Sequence, residues 1–286
     1  EAIARLQSAW REPARSWFDE LRQLAGLGGD AAASRSADHS PKLLKQGACQ
    51  QVVRLAGDVN LLQLPAPRLW PQDRYACLNA TAVWTAEPVE HPSVPLNGNT
   101  AKASNERSSG EPSQLLRTAF ARHDCLVIDR NHLAVCVHHD DPLAAHLRLA
   151  ESLNQPLPAA VVLGGDPATM LAAAAPLPAQ LSPALFAAFL RGKQLELIEA
   201  RTIDLRVPAN AELIIEGQFR PGQTIEPGQR SNSGGVYVQG RDMPVLEVSA
   251  ITHRINPVFP AYVVGPPPNE LAVASDALLR LTLPLI

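Results

Sequence analysis

The densest apolar runs of the chain lie between residues 211 and 270, and their pattern predicts antiparallel β-structure. They are rich in Val, Ile and aromatic residues, and turns that contain Pro and Gly separate them. We expect three strands in this stretch, over Glu212–Phe219, Gly235–Gln239 and Pro244–Val264. Glu212, Glu216 and Glu247 interrupt the apolar positions. At least one face of this sheet is therefore predicted to meet water or a cleft.

Shorter apolar runs upstream predict further strands, with helices placed between them. The expected strands and extended stretches cover Gln51–Leu55, Leu61–Pro65, Leu78–Thr85, Cys125–Asp129, His132–His138, Ala159–Leu163 and Gln194–Val207. Helices are expected over Asp141–Leu153, from Asp166 through ATMLAAAA, over Ser182–Leu190 and over Asn269–Leu279. Asp166 and Ser182 are the expected capping residues, each with proline at the first helical position. The order of strands, helices and strands indicates an α+β fold with helices inserted beside an antiparallel barrel.

Two long segments are predicted to lie outside this barrel. Residues 1–29 carry apolar side chains at near-helical spacing, broken by Pro13, which predicts two short amphipathic helices. Residues 89–114 are too polar to bury, which predicts a mobile loop. We divide the chain into an N-terminal helical segment and linker (1–42), a barrel domain (43–268) with helices inserted at 143–192, and a C-terminal helix (269–286).

Charge and composition exclude several classes of function. The net charge of −3 and the pI near 6.3 give no basic surface for nucleic acid or for a membrane. No apolar run reaches the ~20 residues of a membrane span, and the N-terminus lacks the apolar core of a signal peptide, so we expect a cytoplasmic protein. The four cysteines are far apart and form no C-x-x-C pair, so we expect them to be reduced and buried.

Four separated phrases carry a resemblance to a known family. They are LLQLPAPRLWPQD (61–73), VPANAELIIEG (207–217), AITHRINPVFPA (250–261) and VVGPPPNE (263–270). Through them the chain resembles the UbiD-type decarboxylases over residues 48–274. The resemblance implies a split β-barrel of the flavin reductase-like type that holds prenylated FMN. It also implies a further C-terminal domain in family members, which we expect this chain to lack.

The resemblance places the family's metal ligands on positions that this chain has largely changed. The Asn of the metal set falls on Ala119, its His on Asp140 beside His139, and its Glu on Pro183. Alanine and proline have no ligand atom. Because carboxylate oxygens supply much of the charge that holds a divalent ion, we expect no metal in this chain.

The acid and the cation that the resemblance implies for decarboxylation are also altered. The family's Arg falls on Asp124, with Arg122 two residues away. Of two glutamates five residues apart, the first matches Glu226 and the second falls on Ser231. The resemblance therefore implies a site that has lost most of its machinery, and no cofactor is expected except prenylated FMN by likeness to the family.

Four residues are the candidates for remaining chemistry: Glu226 and Arg122 as catalytic groups, His139 and Arg254 as cofactor-binding groups. Three of them have a structural alternative. Glu226 fits a solvated loop, His139 fits the polar end of a hairpin, and Arg254 fits a structural hydrogen-bonding pair with its neighbour His253. The turn Gly164–Pro167 fits either a phosphate site at a helix N-terminus or a tight strand-to-helix connection.

Two functions follow from this pattern. The first is a non-catalytic UbiD-like subunit of a larger homo- or hetero-oligomer, in which the partner is another UbiD-like chain. The second is an active decarboxylase or carboxylase of an aromatic or α,β-unsaturated acid, with Glu226 as the acid and a partner chain supplying the missing groups. The run Leu278–Ile286 is apolar at six of nine positions, so we expect it either to fold back onto the core of the barrel or to pack against another chain, and we favour the second.

Overall fold

The computed structural model describes residues 40–86, 118–178, 181–232 and 234–283. Over these residues the chain has a mixed α+β fold, with a curled antiparallel half-barrel sheet and four helices. The α+β class expected from the order of elements is confirmed. The helices expected within residues 1–29 and the loop expected over residues 89–114 lie outside the described residues.

The elements are numbered along the described residues. The strands are β1 Lys42–Leu43, β2 Val52–Leu55, β3 Ala76–Leu78, β4 Thr81–Ala86, β5 Thr118–Arg122, β6 Cys125–Val127, β7 His132–Val135, β8 Leu157–Leu163, β9 Glu196–Glu199, β10 Arg206–Pro208, β11 Leu213–Ile225, β12 Gln229–Ser231, β13 Tyr237–Gln239 and β14 Met243–His253. The helices are α1 Pro142–Ser152, α2 Pro167–Ala174, α3 Pro183–Arg191 and α4 Glu270–Thr282.

Nine strands form the main sheet, in the order β3-β6-β7-β14-β11-β8-β4-β5, with β2 beside β14. All of its pairings are antiparallel. Strands β7 and β2 lie along β14 one after the other, at residues 245–247 and 250–253. A three-stranded sheet, β1-β9-β10, and a two-stranded ribbon, β12-β13, complete the β-structure of the described ranges. One end of the main sheet is therefore β5, which contacts helices α1, α2 and α3.

Gly217 marks the point at which the two longest strands bend. The register of β11 against β14 shifts between Glu216 and Gly217, and again between Phe219 and Thr224. Bulges of this kind bend a strand and increase its local twist. A Cβ atom on Gly217 would lie 2.3 Å from the carbonyl oxygen of Glu247, so the close approach of these two backbones requires glycine. The bend contributes to the curl of the sheet.

Both faces of the central strands are buried, so their side chains alternate between two apolar cores. On β4, Trp84 faces the helices and Val83 faces the inside of the curl. On β8, Val162 and Val161 divide in the same way. Strands that are covered on both faces show nearly continuous apolar runs, and helices α2, α3 and α4 provide the cover on one side.

The three helices after β8 begin at capping residues, of which Asp166 and Ser182 were expected from the sequence. The side chains of Asp166, Ser182 and Asn269 each accept a hydrogen bond from a backbone N–H in the first turn of α2, α3 and α4. Gly192 ends α3 with a left-handed backbone, at φ 72°. These predicted helix positions are confirmed. Within the described ranges, no helix has the length and apolar character to cross a membrane.

The strand expected over Pro244–Val264 is too long. Strand β14 ends at His253, and residues 254–269 follow without regular structure. Pro257 and Pro260 have no N–H to donate to a neighbouring strand, which explains why the ladder stops. Phe259 of this segment packs against the core inside the curl, whereas Ile255, Val258 and Val263 are exposed, and the segment leads into α4.

The extended stretch expected over Leu61–Pro65 is also wrong in part, because Leu61–Gln63 form a turn of 3₁₀-helix. The side chain of Asn60 accepts a hydrogen bond from the N–H of Leu62 at 3.2 Å and so caps this turn. Leu61 is fully buried in the core inside the curl. A short apolar run does not distinguish a buried strand from one buried helical turn.

Glu216 does not face water, which corrects the prediction made from its place among apolar residues. The residue is fully buried. Its carboxylate accepts hydrogen bonds from the N–H of Arg201 at 2.9 Å, and from the N–H and hydroxyl of Thr202 at 2.7 and 2.9 Å. These bonds close the turn between β9 and β10. The one strand expected over Gln194–Val207 is therefore two strands joined at this turn.

The cysteines are unpaired, as the sequence predicts. Cys49, Cys77 and Cys125 are buried and Cys136 is half-buried. Burial raises the pKa of the Cys49 thiol to about 11 and that of Cys125 to about 12. These two side chains are therefore neutral at physiological pH and act as small apolar core residues.

Candidate functional site

A cleft lies where β5 meets the four helices. Its volume is about 590 Å³, within the roughly 300–1,000 Å³ of small-molecule sites. The cleft is lined by Phe120, Ala121, Arg122, Asp141, Pro142, His146, residues 172–178, Leu181, Ser182, Pro183, Leu271 and Ser275. Under its floor, the rings of Phe120 and Trp84 are stacked with centroids 4.1 Å apart. The walls are thus mostly apolar, with polar groups gathered around the end of β5 and the start of α1.

Among the described residues that line the cleft, Arg122 is the one lysine or arginine. Its Nη2 donates to the carbonyl of Asn79 and to Oδ1 of Asp124, both at 3.1 Å. The ring of Tyr262 lies 5.5 Å from the guanidinium carbon. Asn79 in turn holds Tyr262 by two hydrogen bonds, one to its carbonyl and one from its N–H. The buried Nε of Arg122 has no hydrogen-bond partner in the described part of the chain.

Asp141 and His146 bring further ionisable groups to the cleft. Oδ2 of Asp141 accepts a hydrogen bond from the N–H of His138 at 2.8 Å and lies 3.7 Å from Nδ1 of His123. Nδ1 of His146 lies 2.8 Å from the hydroxyl oxygen of Thr85. The cleft lining therefore carries a carboxylate and an imidazole near the guanidinium of β5.

The start of α3 forms one wall of the cleft, and its hydrogen-bonding groups are already engaged. The hydroxyl of Ser182 accepts a hydrogen bond from the N–H of Ala184 at 3.3 Å. Pro183, the first helical residue, has no N–H. This helix end therefore offers fewer donors to a ligand than the N-terminus of a helix usually does.

Of the four candidate site residues, Arg122 lines the cleft and the other three lie elsewhere. Glu226 is exposed, directly after the end of β11. The imidazole of His139 is 83% exposed, with Nε2 3.0 Å from Oδ1 of Asp140. The structure does not bring Glu226 or His139 together with Arg122 at the cleft.

Arg254 lies at the end of β14, where it joins two parts of the backbone. Its Nη2 donates to the carbonyl of Asn210 at 2.6 Å, and its Nε donates to that of Ala211 at 3.2 Å. Its Nε also lies 3.4 Å from a carboxylate oxygen of Glu212. These contacts give Arg254 a structural role, because they tie the loop before β11 to the sheet. Nδ1 of His253 also lies 2.6 Å from the carbonyl oxygen of Arg254, in agreement with the pair expected as the structural alternative.

The turn Gly164–Pro167 is closed by the protein itself. Gly164 and Gly165 have φ values of 67° and 101°, as a tight strand-to-helix connection requires. The carboxylate of Asp166 accepts from the first turn of α2 and lies 2.7 Å from Nε of Arg191. The helix N-terminus thus already has an anion, which favours the tight connection over the phosphate site.

Ser231, at the family's second glutamate position, is bonded to a carboxylate from far upstream. Its N–H donates to Oδ1 of Asp73 at 2.9 Å, and its hydroxyl donates to Oδ2. The same Oδ2 accepts the N–H of Trp70 at 3.0 Å. The phrase LLQLPAPRLWPQD therefore has a structural role, because its last residue fixes β12.

The sequence did not single out Asn79, Tyr262 or His146. Asn79 and Tyr262 are 183 residues apart, and their relation to Arg122 exists in the folded chain alone. Tyr262 lies between two of the phrases that carry the family resemblance, and this position could have identified it as a candidate site residue from the sequence. His146 stands four residues after Pro142 on α1, a helical spacing that places both on one side of the helix.

His123 is the most buried ionisable group near the cleft, with 1% of its side chain exposed. Burial lowers its pKa, against the opposing effects of the Cys136 carbonyl, 3.0 Å from Nδ1, and of Asp141. The folded state therefore binds a proton less readily than the unfolded state, whose histidine pKa is about 6.5. The free energy of unfolding should fall as the pH drops below about 6.5.

We expect His123→Asn to flatten this pH dependence, because asparagine keeps a donor for the Cys136 carbonyl and does not titrate. Urea denaturation at a series of pH values would measure the effect. Parallel curves for the parent and the variant would show that His123 titrates normally in the fold.

The fold and the order of these residues match a known family. The family model for the UbiD 3-octaprenyl-4-hydroxybenzoate carboxy-lyase Rift-related domain matches residues 115–267, more than half of the chain. The chain belongs to the UbiD family. The family match includes Arg122, Asp141, His146, Pro183 and the irregular segment that carries Tyr262.

Solved UbiD-class structures share this fold at low sequence identity. Vanillic acid decarboxylase of Sedimentibacter hydroxybenzoicus, in its closed form, is 22% identical over 94% of this chain and 50% of its own, with a TM-score of 0.69. An evolved dimeric form of HmfF from Pelotomaculum thermopropionicum, in complex with prenylated FMN, is 24% identical over 91% and 53%, with a TM-score of 0.67.

A third relative, the apo 3,4-dihydroxybenzoic acid decarboxylase of Klebsiella pneumoniae, is 22% identical over 90% of this chain and 52% of its own, with a TM-score of 0.67. The chain therefore spans about half the length of these relatives. At this identity the likeness establishes the shared fold.

The residues of the cleft do not fit the metal that the UbiD family resemblance implies. Across the described residues, no group of three or more His, Cys, Asp or Glu side chains is placed to hold an ion. Pro183 lines the cleft without a ligand atom, and the hydroxyl of Ser182 is engaged by its own helix. Asp124, at the family's Arg position, is paired with Arg122. We therefore derive no chemical step through a metal or a metal-held flavin.

Proposed function

We propose that this UbiD-family chain is a non-catalytic, ligand-binding subunit of a larger assembly. The observation that carries the proposal is the ion pair of Arg122 and Asp124 at the polar end of the cleft. There the resemblance implies a free cation for the decarboxylation site, and a carboxylate neutralises it. Pro183 stands in the same cleft at the position of a metal carboxylate.

The physical cost of these changes supports the proposal. A divalent ion requires oxygen ligands that supply charge and geometry, and proline supplies neither. Decarboxylation also requires an acid within hydrogen-bond reach of the reacting carbon. Glu226, which matches the family's first glutamate, is exposed and does not line the cleft.

The assembly part of the proposal is supported by apolar side chains on α4. Val273 is 50% exposed, Leu279 48% and Leu283 62%. Exposed apolar side chains grouped on one helix are typical of a surface that packs against a partner. One structure of the vanillic acid decarboxylase relative, ShVdcCD, contains a truncated ShVdcD beside the chain that matches ours. By analogy, we propose that the partner here is a second UbiD-like chain.

The test is to purify the chain under conditions that load prenylated FMN and manganese into an active family member prepared in parallel. We expect no stoichiometric manganese by elemental analysis, no flavin absorbance, and no carbon dioxide release from aromatic acids. One manganese and one flavin per chain, together with turnover, would refute the proposal. Light scattering of the same sample at micromolar concentration would report whether a species larger than 30.7 kDa is present.

The second candidate is an active decarboxylase or carboxylase of an aromatic or α,β-unsaturated acid that is completed by a partner chain. The specific observation in its favour is the buried Nε of Arg122, which has no hydrogen-bond partner among the described residues and belongs to a side chain lining the cleft. Flavin colour separates the two candidates, because this second function requires prenylated FMN. We further propose that the main sheet is of the split-barrel type, that the chain divides into the three parts given above, and that the protein is located in the cytoplasm.

A further inference from the structure

The charges around the cleft are arranged differently from those of a site for an anion. Arg122 and Asp141 both line the cleft, so an ion of either sign meets one group of like charge. Behind Arg122, Asp124 adds a second carboxylate with only 10% of its side chain exposed. The cleft and the residue behind it thus hold two carboxylates and one guanidinium, of which Asp124 contacts Arg122 directly in a half-buried region where charges interact more strongly than in water.

Arg122 is also poorly disposed to bind an incoming carboxylate or phosphate. Its Nη2 already donates to Asp124 and to the carbonyl of Asn79, and the ring of Tyr262 covers one side of the guanidinium. A bidentate contact with an anion requires two parallel N–H donors. Both two-donor edges of the guanidinium include Nη2, so a bidentate anion would compete with Asp124 and with the Asn79 carbonyl, and the unpartnered Nε by itself offers a single donor.

The backbone that lines the cleft offers few N–H donors to an anion. Pro183 has no N–H at the start of α3, and the hydroxyl of Ser182 accepts from within the helix. The C-terminal end of α2, where the helix dipole is negative, also lines the cleft, at residues 172–175. The other lining groups are mainly alanine, leucine and proline side chains, which favour an apolar ligand body.

We propose that the cleft selects an uncharged ligand, an alcohol with an aromatic or otherwise apolar body, and that Asp124 sets this preference. The apolar body lies against Phe120 and the alanine wall, and the hydroxyl lies at the end of the cleft that carries Asp141 and His146. This inference rests on the proposed function, because it treats the cleft as a binding site and not as the centre of a decarboxylase. The ligand class proposed for the cleft therefore lacks the negative charge of an aromatic acid.

Three probes that share a phenyl ring and a single linking carbon test the inference: benzyl alcohol, benzoate and benzylamine. Ligand-observed NMR measures the binding of each probe to the purified chain. Changes in the chemical shifts of Phe120 and Arg122, recorded in spectra of the protein, show that the probe occupies the cleft. We expect benzyl alcohol to bind at least about tenfold more tightly than either charged probe. The inference would be overturned if benzoate or benzylamine bound more tightly than benzyl alcohol. It would also be overturned if benzyl alcohol did not bind at about 10 mM, a concentration above the Kd of even a weak specific site.

The decisive variant is Asp124→Asn, which keeps the shape of the side chain and removes its charge. We expect it to tighten benzoate binding by about tenfold and to leave benzyl alcohol within about twofold of the parent. Asp242→Asn is the matched control, since Asp242 is exposed and does not line the cleft. An unchanged affinity of Asp124→Asn for benzoate would exclude Asp124 as the selecting residue.

A second variant keeps the test decisive if Asp124→Asn does not fold. Arg122→Gln removes the cation and should abolish the residual binding of benzoate, while benzyl alcohol still binds. Loss of benzyl alcohol binding to a folded Arg122→Gln chain would contradict the inference. Failure of the proposed function is recognised separately, by turnover of an aromatic acid in the presence of prenylated FMN, which none of these binding measurements reports.

Discussion

Replacing Glu216 by alanine is expected to lower the free energy of unfolding by about 3 kcal/mol. The carboxylate is fully buried between the main sheet and the turn that joins β9 to β10. Without it, the N–H of Arg201 and both donors of Thr202 lose their carboxylate acceptor. Ser249, which shares a hydrogen bond with the Thr202 hydroxyl at 2.6 Å, loses its ordered partner as well. Urea denaturation measures the change.

The control for this experiment is Glu226→Ala, the same substitution at an exposed position just after the same strand. A change within about 0.5 kcal/mol is expected there, as for most surface substitutions. Glu216→Gln should fall between the two, because it keeps the shape and one acceptor but sets an amide against N–H donors. If Glu216→Ala were as stable as Glu226→Ala, the buried carboxylate would not be what holds the turn.

Gly217→Ala is expected to destabilise the fold by about 2–4 kcal/mol, since the new methyl group has no room. Its Cβ would lie 2.3 Å from the carbonyl oxygen of Glu247 and 3.1 Å from the Leu246 side chain. The atom in the way is backbone of the central strand β14, which is paired on both edges and cannot move aside cheaply. Thermal and urea denaturation would both report the loss.

Gly57→Ala is the matched control. A Cβ atom at Gly57 would meet nothing within 4 Å, and its φ lies outside the left-handed region. The substitution should be neutral or stabilise slightly, because alanine restricts the unfolded chain more than glycine does. Equal stabilities of the two variants would mean that β14 tolerates the displacement at Gly217.

Local signals in the sequence predicted most of the elements. Asp166 and Ser182, each followed by proline, begin helices because a side-chain oxygen accepts an N–H in the first turn, and this needs no distant residue. The hairpin of β6 and β7 forms likewise around Asp129, whose side chain accepts the N–H of Asn131 at 2.9 Å. At Leu61–Gln63, where the signal was a short apolar run alone, the predicted extended stretch was wrong in part.

The candidate site was predicted less well, because its partners are distant in the sequence. Counting positions along the family phrases identified Arg122, Asp124 and Pro183 as candidates. Of these, Arg122 and Pro183 line the cleft. The same count placed weight on Glu226 and His139, which lie on exposed turns. A count along one strand gives position but not direction, and a side chain one residue further on points to the opposite face.

The sequence by itself determined the class of fold, the helix starts and the family, because each depends on short-range patterns or on phrases that stay together. The tertiary structure alone decided which charges meet. Asp124 neutralises Arg122, Asp73 bonds Ser231, and Glu216 is buried as an anchor and is not a solvated break in a strand. A charged side chain takes its role from the groups that surround it once water is excluded, and those groups come from strands and loops that only folding brings together.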